Sequence, residues 1–364
     1  MAKAAVFTGV NEPFEIREYE LTTPPKGYAR ISILASGVCG TDMHIHRGKL
    51  GIVPPKIIGH EYVGKVEEIS AEDSNKYGIS AGDNVIVNIA CPCGECLLCK
   101  TSDDANCINM GVTNGGDPEE SPHFWGGYAE VNYSPVKNLI KVPKGLDPKT
   151  VSVFACAGST AIHAFNLGKR ANVSMENVNV AVVQGLGPVG MFAAGYLVAM
   201  GIEHVIAITG FVDEKREEIA RSFGVSKVFS LDINSLDDVI AYIKSISDGL
   251  GADLVFEASG NVHAVPQGIQ MLRNRGVYLV PGQYSASGGV MFNPELITFK
   301  AIQIIGSSQY SVSDVISYLE FLEENPGLHP VIDSMITEYP VSKVNEAFED
   351  IKAAKNIKTI LVGE

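Results

Sequence analysis

Residues 178–190, VNVAVVQGLGPVG, join a run of apolar residues to a glycine-rich turn. A short, continuous apolar run is typical of a strand that is buried on both faces of a parallel sheet. The turn GLGPVG (185–190) has the G-x-G-x-x-G spacing, and a segment with helical periodicity follows it. Strand, turn and helix together predict a site where the pyrophosphate of a dinucleotide approaches the helix N-terminus. The candidate cofactor-binding residues of the turn are Gly185, Gly187, Pro188, Val189 and Gly190.

Five further apolar runs follow this one, and they begin near His204, Lys227, Asp253, Gly276 and Ile302. Most of the intervals between them have helical periodicity, as in DEKREEIARSF. Alternation of strands and helices is typical of a doubly wound α/β sheet. Six strands are the number that a dinucleotide-binding domain uses. We therefore expect a Rossmann-type domain over residues 156–305.

The first 155 residues have a different pattern, with short β-like runs such as YARISILASG and GDNVIVNIA separated by Gly and Pro. Such a pattern predicts a small, barrel-like β domain. The C-terminal segment predicts two helices, around 313–324 and 341–354, and a last strand, NIKTILV. Because six strands already complete the Rossmann sheet, residues from about 306 to 364 are expected to complete the first domain.

Composition and charge narrow the class of protein. The chain has 364 residues, of which 46% are hydrophobic and 19% are charged, and its net charge is −14. A globular protein with this charge is not expected to bind nucleic acid or an anionic membrane. The N-terminus lacks the apolar stretch of a signal peptide, and glycines and charged residues interrupt the apolar region 178–209. We therefore expect a cytoplasmic protein without a membrane span, in which clustered cysteines bind metal more often than they form disulfides.

Five of the seven cysteines lie in one segment, CPCGECLLCKTSDDANC (91–107). Four thiolates with short spacings fill the coordination shell of a zinc ion and leave no open position, so the segment predicts a structural zinc site. An iron–sulfur cluster favours a shorter last spacing followed by proline. A zinc ribbon that binds nucleic acid would need more than the single basic residue of this segment. The predicted ligands are Cys93, Cys96, Cys99 and Cys107. Cys91 is expected to be buried and not to bind the metal.

Cofactor preference depends on the residue at the end of the second Rossmann strand. An acid that binds the adenosine ribose is expected there in an NAD enzyme, but this strand ends at Thr209-Gly210. A small residue leaves room for a 2′-phosphate, which Lys215 or Arg216 could bind. Alternatively, Asp213 reaches back to the free hydroxyl. Both NAD and NADP therefore remain open.

Three fragments, GVCGTDMHIH (37–46), GHEYVG (59–64) and FACAGSTAIHAF (154–165), contain further candidate metal ligands. Any one of Cys39, His60 and Cys156 taken alone is more often an ordinary buried residue. Together with a water molecule, two thiolates and an imidazole would form an open, reactive tetrahedral zinc site.

With these motifs the chain resembles the zinc-dependent medium-chain alcohol dehydrogenase family over essentially its whole length. The resemblance rests on GHE-x2-G, the four-cysteine segment, the glycine-rich turn and C-x-G-x-T (156–160). It implies a GroES-like β-barrel domain, a Rossmann domain, two zinc ions per chain, and interconversion of an alcohol and its aldehyde or ketone with NAD or NADP. It also implies a homodimer or homotetramer, in which the edge strand IQIIGSS could pair across a two-fold axis.

The same resemblance assigns roles to individual residues. Cys39, His60 and Cys156 would hold the catalytic zinc, and Glu61 would be an exchangeable ligand or a neighbouring carboxylate. Asp42 would accept a hydrogen bond from His60. Thr41 would bind the substrate hydroxyl, and His44 would end a proton relay that is reached through the cofactor ribose. Alternatively, His44 is a surface histidine with no role, as is expected of His46. Thr160 would pack on the nicotinamide, and Lys358 would bind the pyrophosphate.

Two positions depart from, or qualify, this pattern. Many relatives carry arginine at the position of Lys358, and a lysine there loses the bidentate geometry of the guanidinium. Polyol-dehydrogenase relatives often carry glutamate at the position of Cys156, so cysteine favours an ordinary alcohol without excluding a polyol.

The loop 114–127 could overhang the pocket with His123, Phe124 and Trp125, or these three residues could only pack the loop. An inert binding protein on the same scaffold would not need Cys39, His60 and Cys156.

Overall fold

The computed structural model of the protein describes residues 1–283 and 288–364. The chain divides into two compact units, one made of Met1–Cys156 with Tyr310–Glu364 and the other of Ala157–Gln309. The first unit is dominated by an antiparallel sheet and the second by a parallel one. The predicted mixed α/β class, a GroES-like unit plus a Rossmann-type sheet, is confirmed.

The N-terminal part of the first unit consists of short strands. They are β1 (Ala2–Val6), β2 (Glu15–Tyr19), β3 (Tyr28–Gly37), β4 (Glu61–Glu68), β5 (Asn84–Val87), β6 (Ala90–Cys91), β7 (Gly111–Val112), β8 (Val131–Pro135) and β9 (Leu139–Lys141). Three α-helices lie between these strands, α1 (Gly40–His46), α2 (Ala71–Tyr77) and α3 (Leu97–Lys100), and α4 (Pro148–Val153) follows β9. In β3, buried and half-buried residues alternate as far as Ala35, as expected for a strand with one face on a core, and the last residues of the strand are all buried.

The second unit alternates helices and strands. The helices are α5 (Ala157–Arg170), α6 (Pro188–Ala199), α7 (Glu214–Ser222), α8 (Leu236–Ser245), α9 (Ala264–Met271) and α10 (Glu295–Lys300). The strands are β10 (Val180–Gln184), β11 (His204–Thr209), β12 (Lys227–Ser230), β13 (Ala252–Glu257), β14 (Leu272–Val280) and β15 (Gln303–Gly306). All six predicted strands are present, and each pairs in parallel with its neighbours in the order β12-β11-β10-β13-β14-β15. Every residue of β10 is buried, in keeping with its central place in the sheet.

The C-terminal segment adds α11 (Val312–Glu324), α12 (His329–Asp333), β16 (Ile336–Pro340), α13 (Val344–Lys352) and β17 (Lys358–Val362). β17 pairs antiparallel with β3 and parallel with β16, so it extends the sheet β16-β17-β3-β4-β5-β9 of the first unit. This pairing brings Lys358 and Gly37 to the same end of two adjacent strands. In the part of the chain that the structure describes, no helix is both long and apolar enough to cross a membrane.

Candidate active site

A group of metal-ligand side chains lies at one end of the first unit's sheet. Cys39 precedes α1, and His60 and Glu61 stand at the start of β4. Cys156 follows α4 and ends the first segment of the unit. One ligand atom from each of these four residues lies within 4.8 Å of the others. β3 runs antiparallel to β4 and aligns Gly37 with Glu61, so the turn after β3 meets the start of β4. Sheet pairing therefore brings together residues that are far apart in sequence.

The electrostatics of this group suit a cation. A hydrogen bond with Cys156 lowers the pKa of Cys39 well below its ordinary value. Burial lowers the pKa of His60, but the charges of Asp42 and Cys39 outweigh it and hold that pKa well above its usual value. Burial and the Cys39 charge raise the pKa of Glu61 to about 7, against the opposing effect of Lys358. Two sulfurs, an imidazole and a carboxylate form a donor set that zinc accepts, and their spacing fits one ion.

Asp42 is completely buried beside this group. Its Oδ1 lies 3.3 Å from Nδ1 of His60, the residue that the family resemblance pairs with it, although Oδ1 accepts no hydrogen bond from the described residues. Its Oδ2 accepts hydrogen bonds from the backbone N–H of Cys39 at 2.9 Å and from the hydroxyl of Tyr128 at 2.8 Å. With Nδ1 directed at Asp42, the other ring nitrogen of His60 remains available to a metal.

Lys358 has surroundings that the sequence did not indicate. Its side chain is 1% exposed, and its ammonium group contacts the carboxylate of Glu61 and, at 3.4 Å, the carbonyl of Val38. Removing one partner of a buried ion pair costs about 3–5 kcal/mol because it leaves an uncompensated charge. Lys358 thus neutralises Glu61 next to the metal ligands, while its contact with a pyrophosphate stays a prediction.

The other residues that the resemblance singled out in this unit lie on α1 or in the loop 114–127. Thr41 and His44 are half-buried on α1, and burial lowers the pKa of His44. His46 is buried and not on the surface as expected, because it stacks on Phe14 and contacts the carbonyl of Glu12 within the core. In the loop, Trp125 donates to the carbonyl of Asp117, His123 stacks on Tyr19 and Phe124 is buried. These contacts agree with the interpretation that the loop residues pack the loop.

The second metal group consists of Cys93, Cys96, Cys99 and Cys107, whose sulfur atoms also lie within 4.8 Å of one another. The sulfur–sulfur distances are 3.4 Å for Cys96–Cys99 and 3.9 Å for both Cys93–Cys99 and Cys96–Cys107. A tetrahedral zinc with Zn–S bonds of about 2.3 Å places its sulfurs about 3.8 Å apart. Backbone N–H groups of Glu95 and Cys96 point at Cys93 and lower its pKa to about 6. The group therefore fits a closed zinc site.

Cys91 lies outside both groups. It pairs with Gly111 across the two-stranded β6–β7 ribbon, and it is half-buried, whereas the sequence analysis expected a buried residue. Burial raises its pKa. Its position next to the four-cysteine group makes it a matched control for the cysteines that are ligands.

In the second unit, the glycine-rich turn follows β10 and leads into α6. Gly185 has a φ of +94°, and a Cβ there would lie 2.8 Å from the backbone of Ser259. A Cβ on Gly190 would lie 1.9 Å from the carbonyl oxygen of Gly185, so only glycine fits. A Cβ on Gly187 would meet nothing within 4 Å, which leaves the first turn of α6 open to a phosphate. Pro188 and Val189 form that first turn, and Thr160 is half-buried on α5.

The end of β11 carries the residues that bear on cofactor preference. The hydroxyl of Thr209 donates to the carbonyl of Phe211 at 2.9 Å and lies 2.8 Å from Oγ of Ser230. Gly210 and Lys215 are exposed. Nε of Arg216 donates to the carboxylate of Asp213 at 2.9 Å, and Nη1 donates to the carbonyl of Leu186 at 2.8 Å. Arg216 therefore links the loop after β11 to the glycine-rich turn and neutralises the nearby acid.

Zinc-dependent dehydrogenases that use NAD or NADP are the class of protein that combines two such units with these two groups of ligands. Residues 25–144 match the alcohol dehydrogenase GroES-like domain, and residues 188–324 match the zinc-binding dehydrogenase family. The chain belongs to the zinc-containing medium-chain alcohol dehydrogenase family, as the sequence motifs suggested.

Relatives and solved structures resemble the whole chain. A sorbitol dehydrogenase of Halalkalibacterium halodurans is 30% identical over 352 residues, which cover 96% of this chain and 95% of that protein. An L-threonine 3-dehydrogenase of Pyrococcus furiosus is 30% identical over 355 residues, with coverage of 96% and 94%. The crystal structure of an alcohol dehydrogenase from Thermotoga maritima superposes with a TM-score of 0.91 at 29% identity and covers 100% of this chain and 99% of that one.

The contacts that the sequence missed involve Tyr128 and Lys358. Tyr128 is 86 residues from Asp42, and Lys358 is 297 residues from Glu61. No local spacing signals either contact, because each arises from the packing of segments that are distant in the chain.

Proposed function

We propose that the protein interconverts a primary or secondary alcohol and its aldehyde or ketone by hydride transfer to NAD or NADP. The observation that carries this proposal is the convergence of Cys39, His60, Glu61 and Cys156 within 4.8 Å of one another. Zinc bound there would act as a Lewis acid on the substrate oxygen, and a bound nicotinamide would accept the hydride. In this proposal Cys39, His60 and Cys156 are the ligands, and Glu61 is an exchangeable or neighbouring carboxylate.

Residues of the first unit would prepare and protect this site. Asp42 lies 3.3 Å from Nδ1 of His60, so the other ring nitrogen of the imidazole would bind the zinc. Lys358 balances the charge of Glu61 and prevents an unpaired buried carboxylate.

Proton transfer is assigned to α1. Thr41 would hydrogen-bond the substrate hydroxyl, and His44 would receive the proton. Among the described residues, Nδ1 of His44 is buried and has no hydrogen-bond partner. Its lowered pKa keeps the ring neutral, and thus able to accept a proton, at neutral pH.

A polyol is the second candidate substrate. The sorbitol dehydrogenase that is 30% identical over 96% of this chain favours it, whereas Cys156 in place of the glutamate of many polyol enzymes favours a simpler alcohol. Both candidates require the same ligands and the same hydride acceptor. They differ only in the part of the substrate beyond the reacting carbon.

The test is a screen of primary alcohols, secondary alcohols and sugar alcohols, each with NAD and with NADP, that follows the absorbance of the reduced nicotinamide. We expect turnover with at least one class, and its loss when the zinc is removed and its return when zinc is restored. Undiminished turnover by a metal-depleted sample would refute the proposal. Absence of any turnover by a fully metallated sample, in both reaction directions, would favour an inert binding protein.

Arg216→Ala is expected to shift cofactor preference toward NAD. The substitution removes a cation and exposes the charge of Asp213, and both changes disfavour a 2′-phosphate. Hydrogen bonds to charged groups contribute ~1.5–3 kcal/mol, so the ratio of kcat/KM for NADP to that for NAD should fall about tenfold. The measurement is this ratio under constant substrate.

Arg221→Ala is the matched control, because Arg221 lies on the same helix and pairs with Glu217 on an exposed face. It should leave the cofactor ratio unchanged. If Arg216→Ala and the wild type have the same ratio of kcat/KM for NADP to that for NAD, Arg216 has no role in binding the 2′-phosphate.

A further inference from the structure

Tyr128 touches the supporting framework of the candidate catalytic zinc site. Its side chain is fully buried, and its hydroxyl donates a 2.8 Å hydrogen bond to Oδ2 of Asp42. Edge-to-face contacts with Phe14 and Phe348, at centroid distances of 6.0 and 6.1 Å, fix the ring. The hydroxyl is therefore held by a rigid aromatic cluster, with Asp42 as its hydrogen-bond acceptor.

The donors on Asp42 determine the direction of its carboxylate. Oδ2 accepts from Tyr128 and from the backbone of Cys39, whereas Oδ1 faces Nδ1 of His60 at 3.3 Å. Within the described ranges Oδ1 accepts no hydrogen bond, so its contact with the imidazole of His60 is an ion-pair contact. Two donors on one oxygen thus leave the second oxygen free for the imidazole.

Tyr128 also holds the segment that leads to His60. Its backbone N–H donates to the carbonyl of Ile58 at 3.0 Å, and that of Gly127 donates to Gly59 at 3.1 Å. Gly59 has a φ of +93°, and a Cβ there would lie 2.4 Å from the ring of Tyr128. The ring therefore packs directly on the residue that precedes His60. One residue acts on His60 from two sides, through the backbone and through Asp42.

We propose that Tyr128 is a positioning residue of the catalytic zinc site, whose hydroxyl orients Asp42 and through it His60. This inference rests on the proposed function of Cys39, His60 and Cys156 as zinc ligands. Tyr128 does not contact the metal in this proposal. Its effect is to keep the imidazole of His60 aligned, which should slow the loss of zinc from this site and leave the four-cysteine site unaffected.

The experiment measures the time course of zinc release to a colorimetric chelator from Tyr128→Phe, Tyr133→Phe and the wild type. Tyr133 is the matched control, because it is equally buried and its hydroxyl hydrogen-bonds the backbone N–H and carbonyl of Thr22. The four-cysteine zinc is an internal reference, and the Cys39→Ser variant identifies which phase belongs to the catalytic site. Loss of a residue that supports a ligand typically weakens metal binding by roughly 10–100-fold. We expect Tyr128→Phe to accelerate the catalytic-site phase by about this factor, and Tyr133→Phe to leave both phases unchanged.

A double-mutant comparison tests whether the effect passes through Asp42. Adding Tyr128→Phe to Asp42→Ala should not accelerate zinc release further, because the hydroxyl has then lost the carboxylate on which it acts. A purely structural role would instead lower the melting temperature and accelerate both phases. Additive effects of the two substitutions would overturn the proposal.

Failure of the proposed function would be recognised separately. If the wild type and Tyr133→Phe bind only the four-cysteine zinc, the catalytic-site assignment fails. If the wild type binds both ions and Tyr128→Phe releases them at wild-type rates, only the role of Tyr128 is refuted. An insoluble Tyr128→Phe beside a soluble Tyr133→Phe would assign Tyr128 to folding and would also overturn its role as a positioning residue.

Discussion

Cys39→Ser is expected to lose one of the two zinc ions and to lower kcat/KM at least about 1,000-fold. Cys39 is one of four ligand residues in the mixed group, and the four-cysteine group does not include it. Lewis-acid stabilisation of a developing charge contributes several kcal/mol, and each ~1.4 kcal/mol corresponds to about tenfold in rate. Metal analysis and steady-state kinetics on the same preparation measure both effects.

The control for this variant is Cys91→Ser. It removes a half-buried thiol that belongs to neither metal group. It should retain two zinc ions and full activity. Because Cys39 and His60 are expected to hold one ion, the double variant with His60→Ala should be no less active than Cys39→Ser alone. Undiminished turnover after loss of the ion would remove zinc from the mechanism.

Cys93→Ser is expected to release the other zinc ion and to unfold the cysteine-rich segment. This segment has few stabilising contacts of its own, since α3 spans only Leu97–Lys100 and β6 and β7 have two residues each. Leu97 and Ile108 are 74% and 75% exposed, so they do not form a core there. Small zinc peptides bind the metal with free energies of about 10–16 kcal/mol. Such a free energy can stabilise a folded segment that has no hydrophobic core.

Limited proteolysis and thermal unfolding measure this effect. We expect cleavage within residues 93–107 and a melting temperature lower by roughly 10 °C, which corresponds to a loss of about 3 kcal/mol in a domain of this size. Cys91→Ser, two residues away, should resist protease like the wild type. Equal protease resistance of Cys93→Ser and wild type would show that packing alone holds the segment.

Much of the fold could be predicted because its signals are local. The six strands of the second unit appear as apolar runs, and the turn after β10 has glycines where backbone sterics require them. The return of the C-terminal segment to the first domain was expected only because the Rossmann strands were already complete, and the pairing of its last strand with β3 was not predicted. Its register with Gly37 could not be predicted, since register depends on side-chain packing across the pair.

The candidate site likewise contains residues that could be predicted from local sequence and residues that could not. The four-cysteine group could be predicted from spacing, because ligands three residues apart can reach one ion within a single turn of chain. Cys39, His60 and Cys156 became a group only through resemblance to a family, since nothing local connects them. The surroundings of Lys358 could not be predicted at all, and the buried Glu61 explains why an ammonium group is stable there.

The sequence by itself determined the alternation of strands and helices, the nucleotide-binding turn and the closed zinc site, because each depends on residues that are neighbours in the chain. Only the tertiary structure decided that Lys358 pairs with Glu61 and that Tyr128 holds Asp42 beside His60. Those contacts join segments 86 to 297 residues apart. They form because strand pairing and core packing, rather than local backbone preference, bring the segments together.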